Sequence, residues 1–119
     1  MPDTQRTRFV ILEHDHPFPH LDLLIQESDV LKAWRLLDAF APDRWLAAEA
    51  IPDHRLMYLD YEGPVSGNRG YVTRLTAGAF ERVTEATGGE LTFEVFDCDL
   101  ATKATCREYG SAKPYWRFS

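Results

Sequence analysis

Cysteine is scarce. Cys98 and Cys106 are the only two in 119 residues, too few for a disulfide framework, and they do not stand in Cys-x-x-Cys spacing. They read as reduced thiols of a cytoplasmic protein, with one bridge between neighbouring strands left open. Long apolar runs are missing as well. Nothing approaches the roughly 20 residues that a membrane span needs, and the opening "MPDTQRTRFV" has no apolar core of the kind a secretory signal carries. The expectation is a soluble protein with no membrane partner. Positive charge is short too: 13 Lys and Arg face 19 Asp and Glu, for a formal net charge of -6. That balance excludes wrapping duplex DNA by bulk electrostatics, but it leaves room for a local basic pocket that grips one phosphate or a strand end. Internal repeats and low-complexity segments are absent. The length suffices for one core, so a single domain over residues 8–119 follows a flexible stretch at 1–7.

What the chain does have is β signal. "RFVILE" is a short apolar run rich in β-branched residues and reads as a buried strand. Pro17 and Pro19 in "HDHPFPH" then force a loop, because proline has no N–H and a fixed φ. Residues 20–26 and 30–37 read as a hairpin around "ESD", although the Leu and Ala content of the second run also allows helix. Residues 43–50, "DRWLAAEA", fit helical turns or a strand. The punctuated stretch "IPDHRLMYLDYEGPVSGNRG" reads as an extended loop with a short strand. From Tyr71 onward the pattern is plainly β: "YVTRLT", a turn at Ala77–Gly78, "AFERVTEA", then "ELTFEVFDCDL" with period-2 alternation, "ATKATCREY" and "KPYWRF". About seven or eight short strands with little helix predict a mainly β fold, a small antiparallel barrel. Trp34, Trp45 and Trp116 read as packing residues rather than a stacking platform.

Three of the four histidines crowd into "LEHDHPFPHLDLL". On a strand over 20–26, His20, Asp22 and Leu24 share one face, and Leu21, Leu23 and Ile25 form a wholly apolar other face. His20 and Asp22 then stand about 7 Å apart at Cα, close enough to reach one ion. His14 ends the preceding strand and approaches them if the proline loop folds back. Two imidazoles and one carboxylate form a ligand set for manganese, zinc or iron that leaves positions for water and substrate. His16 and Asp15 read as solvated bystanders. His54 and Tyr58, four residues apart, could bind a phosphate oxygen or move a proton.

These motifs in this order, "RFVILEHD", "HLDLLIQ", "VLKAW", "PDHRLMYLDYEGPV" and "GYVTRLTAGAFE", resemble the 3'-phosphoesterase domain family of bacterial DNA repair ligase D. The resemblance covers about residues 8–96. It implies a compact β-barrel that removes ribonucleotides and phosphates from DNA 3' ends with a divalent ion, manganese being favoured and zinc also suiting the donors. It implies that His14, His20 and Asp22 bind the metal and that His54 and Tyr58 contact the reacting phosphate. The partners it implies are a DNA 3' end or a small phosphate ester, and a repair protein.

The chain departs from that family at two cationic positions. Leu24 stands where the family keeps a phosphate-gripping arginine, and Asp38 where it keeps a lysine. Leucine offers nothing to phosphate, whereas arginine offers a bidentate fork. Three cations are candidates to fill the gap. Lys32 lies opposite Leu24 if the hairpin turn has three residues, and Arg35 lies opposite Asp22 if it has two. Arg69 sits on a glycine loop whose N–H groups could meet an anion. The reading is a metal-dependent phosphoesterase. The alternative is a non-catalytic module that keeps the metal site and binds an end or a partner.

Overall fold

The computed structural model describes residues 6–87 and 90–119. They form the mainly β fold expected, 60% strand and 4% helix. Among the described residues the strands are β1 (Thr7–His14), β2 (His20–Glu27), β3 (Val30–Leu36), β4 (Trp45–Arg55), β5 (Gly63–Pro64), β6 (Tyr71–Thr87), β7 (Glu90–Phe96), β8 (Lys103–Arg107) and β9 (Tyr115–Phe118). One 3-10 turn, Leu56–Leu59, follows β4. The sheet order is β1-β2-β3-β4-β9-β8-β7-β6-β5, and β1 also pairs with β6. Eight antiparallel strands therefore close into a ring, with the two-residue β5 outside it. Closure removes the exposed edges that an open sheet would present. Residues 1–5, most of the stretch expected to be flexible, lie outside the described residues; β1 starts at Thr7, one residue earlier than expected.

The apolar runs are continuous rather than alternating because the first strands bury both faces. Phe9, Ile11, Leu23, Trp34 and Leu36 point into the ring and meet Phe80, Phe93, Trp116 and Phe118. The aromatics stack there, Phe9 on Phe80 with centroids 4.2 Å apart. On the outer face, Val10, Leu12, Leu24, Leu31, Ala33 and Val72 form a second apolar layer. It is covered by the segment after β4, through Leu59, Tyr58, Tyr61 and Val65. Arg8 ties that segment to β1 with a 2.6 Å bond to Asp60. The same hydrogen bond holds the Asp60 carboxyl below its usual range and raises the Arg8 guanidinium. Trp34 and Trp116 are core residues, and the half-buried Trp45 lies beneath the guanidinium groups of Arg107 and Arg117.

Three local expectations change, and one open choice, at residues 43–50, is decided. There is no turn at Ala77–Gly78, since β6 runs straight through. Phe9 pairs opposite Gly78, and Ala79 pairs opposite Phe96. A Cβ on Gly78 would stand 2.5 Å from the Phe96 carbonyl oxygen and 2.9 Å from the Cys98 Cβ. The glycine permits a close approach of chain segments rather than a reversal. Residues 43–50 resolve to strand rather than helix from Trp45 onward, because Leu46 and Ala48 alternate into the core. That strand extends through Pro52 and His54, which were expected in a loop. The β3–β4 register shifts between Leu31 and Ala33, whose partners are His54 and Ile51. Pro52 falls inside this bulge, where its missing N–H breaks no ladder bond. Finally, β7 stops at Phe96 and β8 starts only at Lys103, the backbone turning at Asp97 with φ 56°.

Cys98 and Cys106 are both free. No helix among the described residues is long and apolar enough to cross a membrane.

Candidate metal centre

The β1–β2 hairpin sets His14 directly opposite His20. Its loop is anchored to the start of β6 by Asp15, whose Oδ1 accepts the Tyr71 N–H at 2.7 Å. Asp15 is thus a structural tether, not the bystander expected. The β2–β3 hairpin turns in two residues, Ser28 and Asp29, with Glu27 opposite Val30 and Ser28 at φ 56°. That register puts Arg35 opposite Asp22 and Lys32 opposite Ile25. His14, His20, Asp22 and Arg35 therefore gather on the outer face of the ring at one rim.

His14, His20 and Asp22 each offer one ligand atom, and these atoms all lie within 4.8 Å of one another. The His20 and Asp22 side chains are 4% and 5% exposed. His14 is 18% exposed and forms the open side. The backbone decides which nitrogen of each imidazole carries the proton. His20 Nδ1 lies 2.8 Å from the Phe18 carbonyl, and His14 Nε2 lies 2.8 Å from the Arg69 carbonyl. A carbonyl oxygen only accepts, so both of these nitrogens are donors. In the neutral tautomers so defined, the opposite nitrogens carry the lone pairs. His20 Nε2 faces Asp22 Oδ1 at 3.2 Å, and His14 Nδ1 faces Asp22 Oδ2 at 3.8 Å. Asp22 Oδ1 is buried and has no hydrogen-bond partner. A proton on His20 Nε2, which also lies 3.3 Å from Asp22 Oδ2, or a cation held between the three groups satisfies this arrangement. Imidazole N–H groups donating to carbonyls are also the usual outer support of histidine metal ligands. The donor set of two nitrogens and one oxygen fits a divalent transition metal.

A cavity of about 500 Å³ opens over the triad and is also lined by Arg35, His54, Tyr58 and Arg69. Seven of the eight expected site residues therefore meet. His54 Nδ1 donates to the Pro52 carbonyl at 3.0 Å, which leaves Nε2 free to exchange a proton. Its ring packs edge-on against Tyr58, with centroids 5.9 Å apart. Arg69 lines the cavity, but its guanidinium is taken up by Ser66, with Nε donating to the carbonyl at 2.7 Å. Its larger contribution is its own carbonyl, the acceptor for His14. Lys32 is not part of this cavity; its Nζ pairs with Asp53 at 3.4 Å. Arg35 is half-buried, with Nε lacking a hydrogen-bond partner.

The two departures at 24 and 38 have structural roles. Leu24 is fully buried in the outer apolar layer. Asp38 Oδ2 accepts the Ala47 N–H at 2.8 Å and holds the β3–β4 connection. Sequence reasoning missed Phe18 and, for Arg69, looked only to the guanidinium and the loop N–H groups: the carbonyls of both residues leave no signature in side-chain type. No protein-family model matches the chain, and no curated protein matches it.

Proposed function

We propose that the protein is a divalent-metal-dependent phosphoesterase acting on a phosphate ester at a nucleic-acid 3' end. One observation carries this reading. The Phe18 and Arg69 carbonyls fix both imidazoles so that their lone pairs converge with the buried Asp22 carboxylate. His14, His20 and Asp22 would hold the ion, manganese or zinc. A divalent ion bound there supplies charge neutralisation at a phosphate oxygen and activation of water. Arg35 is the cation that replaces the arginine absent at Leu24, since its Nε has no partner and it stands across the strand pair from Asp22. His54, with its proton held on Nδ1, exchanges a proton with the ester through Nε2. Tyr58 positions a phosphate oxygen. The acidic chain favours a short or single-stranded substrate over duplex.

The test is metal analysis of the purified protein, followed by incubation with manganese and a labelled primer ending in one ribonucleotide or a 3'-phosphate. Release of the terminal group, lost in His14→Ala, is the expected result. Bound metal with no release would replace the catalytic reading with the end-binding module. Absence of bound metal, with His14→Ala behaving as wild type, would remove the site.

A further inference from the structure

The ring has a mouth beside the metal centre. Where β1 ends and β2 begins, a second cavity of about 870 Å³ opens, with Glu13, Leu21, Leu36, Phe40 and Leu75 in its wall. Leu21, Phe40 and Leu75 pack against the main core, so this cavity is the interior of the ring reaching solvent. Such mouths are common ligand sites. His14, His20 and Arg35 line both this mouth and the outer cavity. The two compartments meet at those three side chains.

Large apolar side chains are left in solvent around the mouth: Phe18 is 53% exposed, Leu37 51% and Tyr71 51%. Clustered at one concavity, they mark a binding surface rather than scattered exposure. Charge selects the occupant. Glu13, Asp15, Asp38 and Glu49 line the mouth, and Arg35 at its border is the cation. A continuing chain of phosphates would be repelled there. Asp15 and Asp38 already accept the Tyr71 and Ala47 N–H groups, but a hydrocarbon would offer no N–H or O–H donor to Glu13 and Glu49. A nucleoside meets both demands, with a flat π face for Phe18 and Tyr71 and amino and hydroxyl donors for the carboxylates. Arg35 marks the joint, its guanidinium lying 5.3 Å from the Phe18 ring centroid.

We propose that the ring mouth is a subsite for one uncharged nucleoside, the terminal unit of a strand whose adjoining phosphate lies at Arg35 and the metal centre. The place of that phosphate rests on the phosphoesterase reading, whereas the nucleoside subsite stands without it.

Three probes separate the two. Adenosine, titrated without added metal, should shift the amide resonances of Phe18, Leu37, Tyr71 and Leu75. Inorganic phosphate, titrated calorimetrically with manganese present, should bind the outer compartment. Adenosine 5'-monophosphate with manganese should bind more tightly than either. Phe18→Ala and Tyr71→Ala, both at exposed positions, should each weaken the nucleotide about tenfold, and Tyr71→Ala should leave inorganic phosphate unchanged. Adenosine 3',5'-bisphosphate puts a second phosphate among the carboxylates. It should bind about tenfold less tightly than the monophosphate, and Glu13→Gln with Glu49→Gln should remove that difference. The proposal is overturned if adenosine leaves the mouth resonances unmoved, if both aromatic variants bind nucleotide as wild type, or if the bisphosphate binds as well as the monophosphate. A dinucleoside monophosphate binding more weakly than adenosine 5'-monophosphate would overturn the strand-end assignment. Loss of phosphate binding alone, with adenosine still in the mouth, would instead remove the phosphoesterase reading.

Discussion

His14 Nε2 donates to the backbone carbonyl of Arg69, 2.8 Å away and 55 positions along the chain. This one bond fixes the tautomer of the most open member of the triad. It also makes the loop before β6 part of the candidate metal centre, although that loop contributes no side-chain ligand.

A centre built from three facing acceptors has a distinctive response to Asp22→Asn. An amide in place of the carboxylate supplies an N–H to one imidazole lone pair and removes a buried charge. The metal-free variant should therefore melt no lower than the metal-free wild type. In the wild type, manganese or zinc at a hundredfold excess over Kd should add about 2.7 kcal/mol, a rise in Tm of roughly 10 °C. The variant should lose that increment. Differential scanning calorimetry with and without metal checks both halves, and a variant that melts much lower without metal would mean that Asp22 serves the fold alone.

Gly70 is the point where the same loop touches the hairpin. Its φ is +83°, and a Cβ there would stand 2.2 Å from Asp15 Oδ1 and 2.6 Å from the His16 Cβ. Gly70→Ala should cost roughly 2–4 kcal/mol in urea unfolding. It should also weaken metal binding, because the displaced loop carries the Arg69 carbonyl. Unchanged metal affinity at that loss of stability would separate the loop from the centre.

On the proposed phosphoesterase reading Arg35 is the cation for the phosphate, since Lys32 is paired with Asp53 and the Arg69 guanidinium with Ser66. Arg35→Ala should weaken manganese-dependent phosphate binding by roughly tenfold to a hundredfold. Arg35→Lys should recover only part of it, because an ammonium lacks the planar fork. Lys32→Ala should bind phosphate as wild type. Calorimetric titration reads all three, and a Lys32 effect as large as that of Arg35 would reverse the assignment.

The two thiols should differ sharply. Cys98 is half-buried, and its Sγ lies 3.3 Å from the Thr76 hydroxyl. Cys106 is fully buried, and burial pushes its thiol up to about 12. A maleimide should label Cys98 in the native protein and Cys106 only after unfolding. The linkage follows from the sign of the shift. Above pH 9 the unfolded chain loses the Cys106 proton while the folded chain keeps it, so folding stability should fall as pH rises from 9 toward 12. Cys106→Ala should flatten that slope, measured as urea midpoints across this range.

Much of the site was readable in residue type and spacing. Alternation alone put His20 and Asp22 on one face, and the prolines at 17 and 19 required a loop; that the loop returns His14 to them was a condition only the β1–β2 register met. The trade between Lys32 and Arg35 was reduced to one question, the length of the hairpin turn, but not answered. The Ala77–Gly78 error has the same root: a glycine that lets Phe96 approach and a glycine that turns the chain look identical in sequence. Reading "HDHPFPH" through its prolines and histidines also passed over Phe18, whose carbonyl lies 2.8 Å from His20 Nδ1 and whose ring stands at the ring mouth.

By itself the sequence determined the mainly β fold, the apolar faces and the side-chain types of the candidate ligands, because side-chain period and residue chemistry are local properties. Tertiary structure alone decided which lone pairs face Asp22, which cation is free and where the ring opens. Those depend on backbone carbonyls, on strand register and on ion pairs between distant segments, none of which is encoded at any one position.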